Sequence, residues 1–212
     1  DASTGHIARI IGIARSADGN LWLGGPGGLY QLDPQQPSVR EVVVPGFPHL
    51  PLRSLIPARD GGLWLGSERD GLIHFDLHGT PPRRYVLHGG HSSAPETQPT
   101  VHALLEARNN KLWIGTGHGL ELLDPRNGQQ RAFHDDPDQH DSLGDNLVRA
   151  LAEDGKGRLW VGTNAGLERA TPGPGGDLSF SPVSLALSPT SPSAVYSLLV
   201  DARGMLWMGT NQ

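Results

Sequence analysis

The sequence predicts an all-β fold, a β-propeller of four-stranded antiparallel blades with four full repeats and half of a fifth. Three observations carry this expectation. All five Trp stand in one motif: Leu21-Trp22-Leu23-Gly24, Leu63-Trp64-Leu65-Gly66, Leu112-Trp113-Ile114-Gly115, Leu159-Trp160-Val161-Gly162 and Leu206-Trp207-Met208-Gly209. The motif recurs at spacings of 42, 49, 47 and 47 residues, the period at which four-stranded repeats build propeller blades. Gly and Pro, 29 and 18 of 212 residues, interrupt the chain too often for the long 3.6-periodic segments of helical repeats.

Each element of the repeat follows from its register to Trp. Strand A is an aliphatic-x-x-aliphatic segment, with Ile10, Leu52, Val101, Val148 and Val195 twelve residues before Trp. Ile13, Leu55, Leu104, Leu151 and Leu198 stand nine before it. The A–B turn carries Gly19, Gly61, Asn110, Gly157 and Gly204 three before Trp, residue types that accept positive φ in a tight hairpin. Strand B is apolar at three consecutive positions. Side chains alternate between faces, so both faces of this strand are expected to be buried, as a blade between two blades requires. Each Trp is therefore read as a packing residue; a stacking platform for sugars is the functional alternative. Strand C opens at Gly28-Leu29, Gly71-Leu72, Gly119-Leu120 and Gly166-Leu167, and strand D carries Val42, Tyr85, Phe133 and Phe180. The repeats run approximately 10–51, 52–100, 101–147, 148–194 and, in part, 195–212, within a single propeller segment over 1–212.

Composition excludes several classes. A net charge of −5 argues against a nucleic-acid partner held by a basic face. With no Cys, disulfide scaffolds, thiolate zinc sites and Cys nucleophiles are out. No apolar run reaches the roughly 18 residues needed to span a bilayer, so no membrane insertion is expected within the chain. The chain opens at Asp1 without a cationic, apolar leader, and is expected to be processed or cut. A fifth repeat lacking strand C leaves an open edge, which invites pairing. Residues 1–9 supply at most a strand D for it. The expectation is a fragment of a longer protein, or a homodimer in which two copies of four and a half blades complete one ring.

In a propeller the D–A loops, here 45–52, 88–100, 134–147 and 181–194, share one axial face with the B–C turns. The position eleven before Trp holds Ile11, Arg53, His102, Arg149 and Tyr196, and the B–C turns add Glu68, Arg69, Asp70, His118 and Asn164. Variation at equivalent points of a regular scaffold is where a binding site is written. The candidate ligand-binding residues are Arg53, His102, Arg149, Tyr196, Glu68, Arg69, His118 and Asn164; the plainer reading of them is solvated loop and channel lining. His88 and His91 form a close pair without a third ligand, and the acidic run His134–Asp141 lacks EF-hand spacing. No metal or other cofactor is expected. There is no nucleophile elbow and no phosphate-binding Gly loop, so no catalytic residue is assigned. The Asp box of sialidase propellers carries Thr before Trp, where every copy here has Leu. A propeller lyase would need His and an acid to converge with Mg²⁺ at the axis, and His102, His118 and Glu68 are the residues available for that alternative.

The pattern Asp-x-x-Gly-x-Leu-Trp-x-Gly-Thr-x-x-Gly-Leu, complete from Asp154 to Leu167, resembles the two-component regulator propeller repeat, as does its lead-in Asp141-Ser142-Leu143-Gly144-Asp145-Asn146-Leu147-Val148. The resemblance covers essentially the whole chain. Departures are local: Gly25 and Ser67 replace Thr, and residues 171–176 replace the usual ending of the fourth repeat. The resemblance implies a sensor role in the periplasmic part of a membrane-anchored bacterial receptor, with a kinase or diguanylate cyclase as output and a small-molecule or carbohydrate ligand. No output element is present in this chain. A protein–protein interaction scaffold is the alternative.

Overall fold

The computed structural model describes residues 9–36, 38–88, 98–172, 177–184 and 194–211. Among them there is no helix. Eighteen strands form five sheets, four of them with the order A-B-C-D of a propeller blade and the fifth with its first two strands alone. The first sheet is β1 (Gly12–Arg15), β2 (Leu21–Gly25), β3 (Gly28–Asp33) and β4 (Ser38–Val42). The second is β5 (Leu52–Pro57), β6 (Leu63–Ser67), β7 (Leu72–Phe75) and β8 (Arg83–Tyr85). The third is β9 (Val101–Glu106), β10 (Leu112–Thr116), β11 (Gly119–Leu123) and β12 (Gln130–Phe133). The fourth is β13 (Val148–Glu153), β14 (Leu159–Thr163), β15 (Leu167–Pro172) and β16 (Leu178–Pro182), and β17 (Val195–Val200) with β18 (Leu206–Thr210) makes a half-blade. The expected four and a half blades are therefore present. The central part of the 88–100 and 181–194 loops, residues 1–8 and residues 173–176 lie outside the described residues.

The hairpin turns form as their residue types require. The position three before Trp is left-handed in all five repeats, from φ 62° at Asn110 to 95° at Gly61. Strand A opens at Leu52, Val101, Val148 and Val195, as expected, but in the first repeat at Gly12 rather than Ile10. Ile10 and Ile13 are 43% and 63% exposed, since no described residue packs on the outer side of this first strand.

The chain divides into two compact units, one of residues 1–86 and 95–101, the other of residues 87–94 and 102–212. In the first, Trp22, Leu29, Leu52, Leu55, Leu63, Leu65 and Ile73 form a buried core closed by Phe75. In the second, Leu120, Leu143, Val148, Leu151, Val161 and Phe180 do the same, with Trp113 and Phe133 packed against them. The motif Gly two residues after Trp marks where strand A of the following blade docks. A Cβ on Gly66 would lie 2.6 Å from Val101 Cγ1, on Gly115 2.6 Å from Val148 Cγ1, and on Gly162 2.7 Å from Val195 Cγ1. Only Gly permits so close an approach between strands.

The Trp residues are not equally packed. Trp22 and Trp64 are buried, Trp113 and Trp160 half-buried, and Trp207 is 62% exposed. The reason is position: β18 has no further strand beside it among the described residues, so its Trp lacks the neighbour that covers the others.

Candidate functional site

The residue eleven before Trp occupies a special place in the ladder. In the second blade Leu52 pairs with Ser67 and Ser54 with Gly66, leaving Arg53 as the extra residue of a β-bulge. Arg149 stands between the pairs Val148–Thr163 and Ala150–Gly162 in the same way, and Tyr196 between Val195–Thr210 and Ser197–Gly209. A bulge turns one side chain out of the strand's alternation and is a common device beside binding sites. The apolar neighbours Leu52, Val148 and Val195 stay fully buried.

Opposite the two bulge Arg stands the residue four after Trp, at the head of the B–C turn. In the first unit Arg53 Nε lies 2.6 Å from Glu68 Oε1, both side chains partly exposed. The Glu68 backbone is fixed at both ends, its N–H donating to Pro51 O (3.0 Å) and its carbonyl accepting from Thr100 Oγ1 (2.9 Å). Arg69 is exposed, with its N–H on Ser67 Oγ at 3.2 Å and its carbonyl accepting from Gln98 N at 3.1 Å.

In the second unit Arg149 donates from Nε and Nη2 to Asn164 Oδ1, both at 3.3 Å. Its guanidinium lies over the Tyr196 ring, 4.8 Å from the centroid. Arg149 and Tyr196 are equivalent residues of successive repeats, so the bulge positions of adjacent strands A meet. His102 stands beside the next turn: a Cβ on Gly117 would lie 3.8 Å from its Nε2. His118 is exposed. Its N–H bonds Thr116 Oγ1 at 3.0 Å, and its carbonyl accepts from His134 Nδ1 at 2.7 Å, which requires the Nδ1–H form of that ring. The structure thus joins Arg53 with Glu68, and Arg149 with Asn164 and Tyr196, while His102 lies against the turn that carries His118. Of the His88–His91 pair, His91 lies outside the described residues. No group of three or more His, Asp or Glu suited to a metal occurs among the described residues.

Two further devices position the site. The hydroxyl three residues after Trp is buried and clamps the B–C turn: Thr116 Oγ1 donates to Gly119 O at 3.0 Å, and Thr163 Oγ1 to Gly166 O at 3.2 Å. This explains the Thr of the motif. Strand C places a buried carboxylate directly after Gly-Leu in two blades, Glu121 and Glu168. Glu168 accepts from Gly144 N with both oxygens at 3.1 Å, and Glu121 Oε2 from His88 N at 3.2 Å, so each holds a D–A loop to its blade. Burial raises the Glu168 pKa, opposed by the Gly144 N–H and reinforced by Asp145 and Asp135. The shared slot after Gly-Leu was visible in the sequence; the loop partner was not.

The model of the two component regulator propeller matches residues 96–118, 142–165 and 190–212, each match centred on a strand A and the strand B that follows it. No curated protein matched the sequence. Among solved structures the chain is similar to the extracellular domain assigned to hybrid two-component system BT4673 of B. thetaiotaomicron, at 25% identity and TM-score 0.76 over 95% of this chain and 26% of that one. The corresponding domain of BT3049 from the same organism gives 20% identity and TM-score 0.73 over 96% and 26%. Virginiamycin B lyase from Staphylococcus aureus gives 17% identity and TM-score 0.67 over 94% and 62%, a likeness of fold alone. The chain spans about a quarter of the length of the two extracellular domains.

Proposed function

We propose that this chain, which carries two-component regulator propeller repeats, is a non-catalytic sensing segment of a bacterial signal-transduction receptor, acting outside the cytoplasm. The carrying observation is the bulge. At one repeat position the fold turns a side chain out of the strand, and the sequence fills that position with Arg53, Arg149 and Tyr196 while the flanking positions stay aliphatic or small. A scaffold that needed only packing would have no use for Arg there. The partners at the B–C turns hold these side chains in place, and the mixture of guanidinium, amide, imidazole and phenol suits a small polar ligand such as a carbohydrate. The likeness to extracellular domains of hybrid two-component systems supports the location and the role. No helix among the described residues is long and apolar enough to cross a membrane.

Calorimetric titration of the chain with a panel of neutral and sulfated oligosaccharides tests the reading. The expected result is at least one saturating ligand whose binding is lost in Arg149→Ala while the melting temperature is kept. A panel without a ligand, or a ligand indifferent to both Arg149→Ala and Arg53→Ala, would speak against it.

One observation favours a protein-binding scaffold instead: Leu199, Met205 and Trp207 are exposed on one face of the half-blade, and grouped exposed apolar side chains mark contact surfaces. That reading expects Trp207→Ala to abolish binding to a protein partner and the Arg variants to leave it unchanged.

A further inference from the structure

The indole N–H of each motif Trp needs an acceptor, and the residue six places earlier decides whether it has one. Ser16 Oγ accepts from Trp22 at 2.9 Å, Asp154 Oδ2 from Trp160 at 3.1 Å, and Asp201 Oδ2 from Trp207 at 2.9 Å. The Asp carboxylates do more. Asp154 Oδ1 also accepts from Lys156 N and Arg158 N at 2.9 and 3.0 Å, and Arg158 Nε reaches Oδ2 at 2.6 Å. Asp201 Oδ1 accepts from Arg203 N and Met205 N, both at 2.9 Å. The hairpin and the Trp together form a cradle for one carboxylate, closed in the fourth blade by a cation two residues before Trp.

In the second and third blades the acceptor position is Ala58 and Ala107. The second blade fills the space: Trp64 is 3% exposed with the His74 ring 4.5 Å away, and its Nε1 is buried with no acceptor among the described residues. The third blade leaves the indole side of it open, while Asn109 Oδ1 accepts from Lys111 N at 3.1 Å, the N–H that answers to Arg158 N in the fourth blade. Trp113 is half-buried and walls a cleft of about 620 Å³ together with Ala107, Asn109, Lys111, Phe133 and Leu178. Among the described residues nothing accepts from the Trp113 indole. Lys111 stands two before Trp, where the fourth blade has the Arg158 that closes on Asp154.

We propose that the third blade binds a small organic carboxylate carrying an apolar ring, with its carboxylate seated where the fourth blade holds the side chain of Asp154. The Trp113 N–H and the Lys111 amine are its donors, and Phe133 and Leu178 face the ring. The two acidic residues on the cleft are already engaged: Asp124 holds Arg126 at 3.1 and 2.9 Å, and Glu153 accepts from Arg108 N at 2.9 Å. The Arg131 guanidinium, also on the cleft, pairs with Asp177. This site is at the A–B hairpin end of the strands, whereas the bulge residues are at the B–C turn end, and it does not rest on the sensing role.

Benzoate is the probe, and the indole N–H resonances of the ¹⁵N-labelled chain are the readout, Trp113 being assigned by its loss in Trp113→Phe. Benzoate is expected to shift the Trp113 resonance saturably at millimolar concentration, and benzamide, of the same shape without the charge, to leave it in place. Ala107→Asp restores the internal acceptor of the fourth blade; it is expected to abolish the benzoate response and raise the melting temperature. Trp113→Phe keeps the ring and deletes the donor, and calorimetry is expected to show benzoate weakened about tenfold. That variant decides the matter if Ala107→Asp does not fold. An absent or non-saturating shift, an equal response to benzamide, or unchanged affinity in these variants overturns the proposal.

Discussion

At the scale of single residues, Asp154 shows how much one side chain organises. It is 5% exposed and joins backbone, indole and guanidinium in one hairpin. Burial raises its pKa, but the Arg158 N–H, the Arg158 guanidinium, the Lys156 N–H and the Trp160 indole outweigh burial and hold it at about 2. The folded value lies below the ordinary 3.8, so this group stabilises the fold above about pH 4, and the contribution is lost as the pH falls towards about 2. Asp154→Asn is expected to lower stability at neutral pH by about 1–2 kcal/mol. It should also flatten the decline in the midpoint of urea unfolding between about pH 4 and about pH 2. A variant with the same acid sensitivity as the parent would show that other carboxylates dominate acid unfolding.

At the scale of elements, the contact between blades rests on strand B meeting the next strand A. Gly162 has Val195 Cγ1 at 2.7 Å and Val195 Cβ at 3.0 Å from where its Cβ would be, with Cβ of its ladder partner Ala150 at 3.2 Å. Gly162→Ala is therefore expected to cost about 1–3 kcal/mol by overpacking. Val195→Ala, which removes the clashing methyls, should recover part of that loss in the double variant, and urea melts of the four proteins measure the coupling. Additive losses would mean that Val195 is not what Gly162 accommodates. The bulge belongs to this scale as well. The position eleven before Trp stood out in the sequence because Arg53, His102, Arg149 and Tyr196 interrupt an aliphatic pattern. The partners of the two Arg could not be read there, because Glu68 and Asn164 sit fifteen residues along the chain and reach their Arg only through the antiparallel fold of strand B on strand A.

At the scale of the whole molecule, burial is graded. Strand B is buried throughout in the second blade, Leu63–Ser67, and exposed or half-exposed throughout in the half-blade, Leu206–Thr210. Repeat arrays are stabilised by nearest-neighbour contacts, so local opening is easiest where a neighbour is missing. Amide exchange of β18 is expected to be orders of magnitude faster than that of β14, though both carry the same motif; equal protection would show that β18 is covered in solution. The number of blades, the strand order within each and the left-handed hairpin position are legible in the chain, because a strand and its turn are specified by residue types a few places apart. Blade packing, in contrast, sets how deeply each identical Trp is buried, why Gly must follow it, and that Ala107 opens a cleft where Ala58 does not. Those outcomes depend on side chains such as His74, Val148 and Val195, which stand outside the local motif and meet it only when the blades fold and pack.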